Sequence, residues 1–139
     1  ALYFPIKREG RDYAGMPQFF GGTKNNGESD RQCLNRELAE ESDRQLTLDS
    51  GGLYAVYHTI VNGNSYNFYV STNWSGKYFL GTLQNREMAR IVECSIDCFP
   101  PFPGDIEELC SQFNIVPSEA FSGSETYEAF NRALAWCCQ

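Results

Sequence analysis

A single histidine, no Cys-x-x-Cys pair and a shortage of basic residues set the first limits on this 139-residue chain. His58 stands far from every cysteine and only Cys94 and Cys98 have ligand-like spacing, so the pattern of a structural zinc site is missing. Eleven Lys and Arg face 18 Asp and Glu, for a formal charge of -7. That balance argues against non-specific binding of nucleic acid or of an anionic membrane, because such affinity comes from basic side chains neutralising phosphates. A phosphorylated ligand would need local help from a metal ion or a few arginines. No apolar run approaches the roughly 20 residues that span a bilayer, and the start, ALYFPIKREGR, lacks the basic-then-apolar order of a leader. A soluble, cytoplasmic protein is therefore expected. The six cysteines are even in number, yet Cys33 falls in a predicted helix and Cys137 and Cys138 are adjacent, so reduced, mostly buried thiols are expected rather than a disulfide framework.

What is present is enough apolar material, 42% with 14% aromatic, for one core and too little for two. A single domain over residues 1–139 is expected. The first six residues read as a strand and REGRDYAGMP as a loop, followed by Phe19-Phe20-Gly21-Gly22. Ser29 and Gln32 fit a capping box at the start of a helix whose Leu34 and Leu38 form an apolar stripe. LYAVYHTIV and SYNFYVSTNW flank an Asn62-Gly63 turn signal, the clearest hairpin in the chain. Ser75-Gly76 reads as another turn leading into KYFLG, and Arg90 to Ile96 as a further strand. PPFPG breaks regular structure, then DIEELCSQF and SETYEAFNRALAWCC read as helices, with Tyr127, Phe130 and Leu134 as the packing face of the second. This order implies a mixed α/β or α+β domain.

The chemistry lies in the first helix. Glu37, Glu40 and Glu41 are three and four residues apart, so their carboxylates share one face and repel one another without a cation. An acidic face edged by apolar residues points to a divalent metal, and oxygen ligands alone point to Mg²⁺ or Mn²⁺. A solvated acidic face is the ordinary reading of such a cluster taken by itself.

With Gly22, Glu28 and Arg36 added, the segment from Gly22 to Arg44 resembles the signature of the Nudix hydrolase family, G-x5-E-x7-R-E-U-x-E-E-x-G-U, where U is aliphatic. Gly22, Glu28, Arg36, Glu37, Leu38, Glu40 and Glu41 match in register, and the preceding FFGG resembles the family's usual lead-in. Asp43 and Arg44 depart, standing where the family has glycine and an aliphatic residue. Glycine there normally ends the helix in a left-handed conformation, which Asp can adopt with some strain.

The resemblance implies a Nudix-like α/β/α sandwich with a mixed central sheet. Only 21 residues precede the signature, fewer than is usual, so a first strand is one that the chain can lack or draw from elsewhere. It further implies a Mg²⁺-dependent pyrophosphohydrolase that cleaves a nucleoside diphosphate linked to another group X, such as a nucleotide, nucleotide sugar or dinucleotide. Glu40 and Glu41 would bind the ions together with the Gly22 carbonyl. Glu37 would be a ligand or orient the attacking water, Arg36 would hold Glu37, and Glu28 would stand behind them. Glu87, with Glu93 as second candidate, is the expected further acid from a loop beyond the strands. Lys7, Arg8 and Arg11 are candidates for substrate phosphate. The partner is then a small phosphorylated substrate, with a monomer or homodimer and no membrane or non-specific nucleic-acid binding. The competing class is a catalytically inactive Nudix-fold module that binds a nucleotide, RNA or a protein.

Overall fold

A computed structural model describes residues 2–76, 83–94 and 124–139. Its elements are β1 (Leu2–Lys7), α1 (Asp30–Glu41), β2 (Leu46–Leu48), β3 (Leu53–Val61), β4 (Asn64–Ser71), β5 (Trp74–Gly76), β6 (Met88–Cys94) and α2 (Ser124–Cys137). The strands form three antiparallel ribbons, β1 with β6, β2 with β5 and β3 with β4. KYFLG, PPFPG and the helix expected at DIEELCSQF lie outside the described residues.

The β1–β6 ribbon positions everything else because strand side chains alternate between two faces. On one face Phe4, Ile6 and Val92 pack with Phe130 and Leu134 of α2. On the other, Met88 and Ile91 pack with Leu38 of α1, Leu46 of β2 and Leu83. A helix thus covers each side of this ribbon, as the α/β/α expectation requires. Edge-to-face contacts of Phe130 with Phe4 at 4.9 Å and with Phe19 at 4.8 Å fix the α2 side.

Local signals explain most boundaries. Ser29 caps α1, its side chain accepting from the Gln32 N–H while the Gln32 side chain accepts from the Ser29 N–H. Asn62 and Gly63 turn the β3–β4 hairpin with φ of 51° and 79°, the positive pair that a two-residue type I′ turn requires. Ser75-Gly76, expected as a turn, instead lies in β5, which pairs Gly76 with Leu46 and Trp74 with Leu48. Such three-residue strands carry no readable periodicity. Cys138 is disulfide-bonded, which corrects the expectation of reduced thiols at that residue, whereas Cys33 and Cys137 are free. Among the described residues no helix is long and apolar enough to cross a membrane.

Phe130 is 2% exposed and joins β1, α2 and the Phe19 segment. Phe130→Ala should therefore lower stability by about 3–5 kcal/mol, measured by urea unfolding. Near-neutral unfolding would show that this face of the ribbon is not core.

Candidate active site

The three glutamates of α1 differ sharply in environment, and the helical repeat explains why. At about 100° per residue, Glu41 comes round to within about 20° of Leu34, on the apolar stripe, while Glu40 points about 100° away from Glu41. Glu41 is accordingly 5% exposed. The Glu37 side chain is 15% exposed and that of Glu40 is 62% exposed.

Glu41 Oε1 accepts from the Gly21 N–H at 2.8 Å. No basic side chain forms an ion pair with it among the described residues. Burial drives its pKa up to about 8, the Gly21 hydrogen bond pulling the other way and the charges of Glu37 and Glu87 adding to the rise. The next residue, Gly22, is a close approach: a Cβ there would stand 2.5 Å from Glu37 Oε1. Glycine lets the incoming loop lie against this carboxylate without displacing it. The Gly22 carbonyl receives the Cys33 thiol at 3.7 Å, a weak donor.

Arg36 organises the exposed side. Its Nε and Nη2 donate to the two oxygens of Glu28 at 2.8 and 3.0 Å, Nη1 donates to Glu37 Oε1 at 2.9 Å, and Nη2 also reaches the Thr23 carbonyl at 3.0 Å. Glu40 lies 3.8 Å from the same guanidinium. The paired guanidinium, helped by the Asn25 N–H, holds Glu28 down to about 2.

Glu87 lies on the loop before β6, and Lys7 Nζ binds it at 2.9 Å while Arg11 binds its other oxygen. The Lys7 ammonium, then Arg11, holds its carboxyl below the ordinary range. Arg8 donates instead to main-chain carbonyls, to Asn85 at 2.8 Å, to Met88 at 3.0 Å and to Leu83. Glu93 is exposed on β6, opposite Tyr3. His58 is exposed, with Asn67 at 2.6 Å from its Nδ1. On the apolar side of α1, Leu34, Leu38, Phe20, Tyr69 and Trp74 line a cavity of about 180 Å³.

One residue that matters here, Asn85, was not legible in the sequence. Asn85 and the carboxylate of Asp43 hydrogen-bond each other at 2.9 Å. The sequence signal that could have led to it is its partner Asp43, a departure from the signature.

Among the described residues, no three His, Cys, Asp or Glu side chains are gathered closely enough to hold a metal ion. The donor chemistry nonetheless fits a hard divalent cation. Glu41 is a buried carboxylate in no ion pair among the described residues, and Glu37 and the Gly22 carbonyl beside it are oxygen donors. Glu87, held by Lys7 and Arg11, is close enough for its charge to act on Glu41.

No family model matches the chain. It is 36% identical over 101 residues to the CTP pyrophosphohydrolase of Escherichia coli (strain K12), covering 70% of this chain and 71% of that protein. The solution structure of the E. coli ORF135 protein shares the fold, with a TM-score of 0.60 at 22% identity over 97% of this chain and 80% of that one. A MutT structure from work on Aliivibrio salmonicida and Vibrio cholerae does so with a TM-score of 0.53 at 22% identity, covering 81% and 83%. The fold and the helix with its signature thus define a hydrolase of diphosphate anhydrides. The chain belongs to the Nudix family.

The Glu41 environment has a measurable consequence in the metal-free protein. A folded-state pKa of about 8 against an ordinary 4.5 means that the native protein binds more protons between these values. The stability contributed by this group is full below pH 4.5 and is lost as pH rises through about 8. Thermal melts in chelator should show a decline over this window, and Glu41→Gln should flatten it. An identical decline in the variant would assign it to another group.

Proposed function

We propose that residues 1–139 form one Mg²⁺-dependent Nudix domain that cleaves a small nucleoside diphosphate linked to a further group, a nucleoside triphosphate being the favoured class. The observation that carries this reading is the buried Glu41 carboxylate, without an ion-pair partner among the described residues, set beside Glu37, which Arg36 holds in place. The similarity to a CTP pyrophosphohydrolase supports the nucleotide part. Retention of every charged position in the signature favours the enzyme over an inactive binding module.

Hydrolysis requires in-line attack of water on phosphorus and neutralisation of charge on the bridging and leaving oxygens. A bound divalent ion supplies that neutralisation. In this reading Glu41, Glu40 and the Gly22 carbonyl hold it, with Glu37 as a ligand or the group that orients water. Arg36 fixes the Glu37 carboxylate by one hydrogen bond while Glu28 fixes Arg36 by two, so Glu37 has little freedom to turn away. Glu87 completes the acidic set from the loop. Arg11, whose side chain is 46% exposed, and Lys7 neutralise Glu87 and stand where a substrate phosphate would be attracted. Arg8 serves from behind, by fixing the loop's main chain.

The test is turnover of a substrate panel with Mg²⁺ and with chelator, the products read by phosphorus NMR in oxygen-18-labelled water. Chelator should abolish turnover, and Glu41→Gln should reduce it about 100-fold or more. Absence of Mg²⁺-dependent cleavage of every diphosphate, with no effect of Glu41→Gln, would sink the reading. Gly22→Ala offers a second check, because its methyl would displace the Glu37 carboxylate. It should lower kcat at least about tenfold with little change in melting temperature.

A further inference from the structure

After Glu41 the chain turns through Ser42, then Asp43 and Arg44 with φ of 55° and 63°. Glycine enters this left-handed region freely, whereas an L side chain resists it. Asp43 nevertheless stands here, and both oxygens of its carboxylate are used. Oδ2 accepts from the Gln84 N–H at 2.6 Å, and Oδ1 accepts from Asn85 Nδ2 at 2.9 Å.

Asn85 passes the connection on. Its Nδ2 also donates to the Glu41 carbonyl at 2.8 Å, and its Oδ1 accepts from the Glu87 and Met88 N–H groups at 3.1 and 2.8 Å. From the opposite side, the Arg8 N–H donates to the Glu87 carbonyl at 2.9 Å, and the Arg8 guanidinium holds the Asn85 and Met88 carbonyls. The loop that carries Glu87 is therefore bound to the end of α1 through two side chains, one of them a charged acceptor, the stronger kind.

We propose that Asp43, acting through Asn85, is a positioning residue that holds the Glu87 loop against the end of the Nudix helix and so sets the separation of Glu87 from Glu41. This rests on the metal-ion reading above. A glycine would end the helix with less strain. What Asp43 adds is the link to the loop.

The test compares the wild-type protein with Asp43→Gly, Asp43→Asn, Asn85→Ala and the double variant Asp43→Gly/Asn85→Ala. Asp43→Gly keeps the left-handed backbone and deletes only the carboxylate, so folding is preserved. Amide exchange at Gln84, Glu87 and Met88 is followed by NMR, with Val92 and Phe130 as core references. Mn²⁺ affinity is measured by electron paramagnetic resonance, independently of turnover. Exchange in the loop should rise about tenfold or more in Asp43→Gly while the core references stay unchanged. Mn²⁺ affinity should fall about tenfold, Asp43→Asn should recover part of it, and the double variant should be no weaker than Asn85→Ala. Wild-type Mn²⁺ affinity in Asp43→Gly, or unchanged exchange in its loop, overturns the proposal. Failure of the wild-type protein itself to bind Mn²⁺ overturns instead the reading beneath it, a result seen in a different sample.

Discussion

A carboxylate on the apolar stripe of a helix is the constraint around which this site is arranged. Glu41 follows Leu34 and Leu38 into the interior, where loss of hydration opposes its charge and one main-chain N–H offsets only part of that penalty. The acids nearby push in the same direction. Such a group settles either by holding a proton or by meeting a cation. The surrounding chain serves that choice. The Gly21-Gly22 segment must come close enough to donate its N–H, and this is possible because Gly22 has no side chain to meet Glu37.

The neighbouring acids are treated differently. Glu28 and Glu37 share Arg36, and Glu87 is divided between Lys7 and Arg11. These ion pairs, with the Glu28, Glu37 and Lys7 side chains mostly buried, gain little net stability because desolvation offsets much of their attraction. Their value is geometric, since they keep an acidic cluster from dispersing by repulsion. They also separate two kinds of donor in the proposed site. Glu37 is held by a residue of its own helix, itself fixed by Glu28, whereas a cation arriving at Glu87 must compete with Lys7 at the end of β1 and Arg11 in the loop that follows.

The parts legible in the sequence were those encoded locally. The capping box at Ser29 and Gln32, the Asn62-Gly63 hairpin and the apolar stripe of α2 all appear where short-range chemistry places them. The contacts of Arg8 were not legible, because its partners lie 75 to 80 residues away and are carbonyls, which every residue has. Two basic neighbours close in sequence, Arg8 and Arg11, thus end in different work, one on main chain and one on a carboxylate. The unequal burial of the glutamates is encoded in their offsets from Leu34 and Leu38, within the face that all three share. The cysteine at 138 shows a different limit: spacing alone does not determine disulfide pairing.

The departure at the end of the signature shows how a substituted position can be absorbed. The turn after α1 keeps its shape through main-chain bonding, the Arg44 N–H reaching the Ala39 carbonyl at 2.7 Å in the six-to-one pattern of a Schellman end. The buried Ser42 hydroxyl adds a bond to the Leu38 carbonyl at 2.5 Å and receives the Leu46 N–H at 3.2 Å, tying the turn directly to β2. With the path of the chain fixed in this way, left-handed geometry persists without glycine. The strain at Asp43 is then small beside two hydrogen bonds to the Glu87 loop, one of them to a main-chain amide. Glycine followed by an aliphatic residue is therefore one solution to ending this helix. An acidic residue is another, and it links the helix to the loop that faces it.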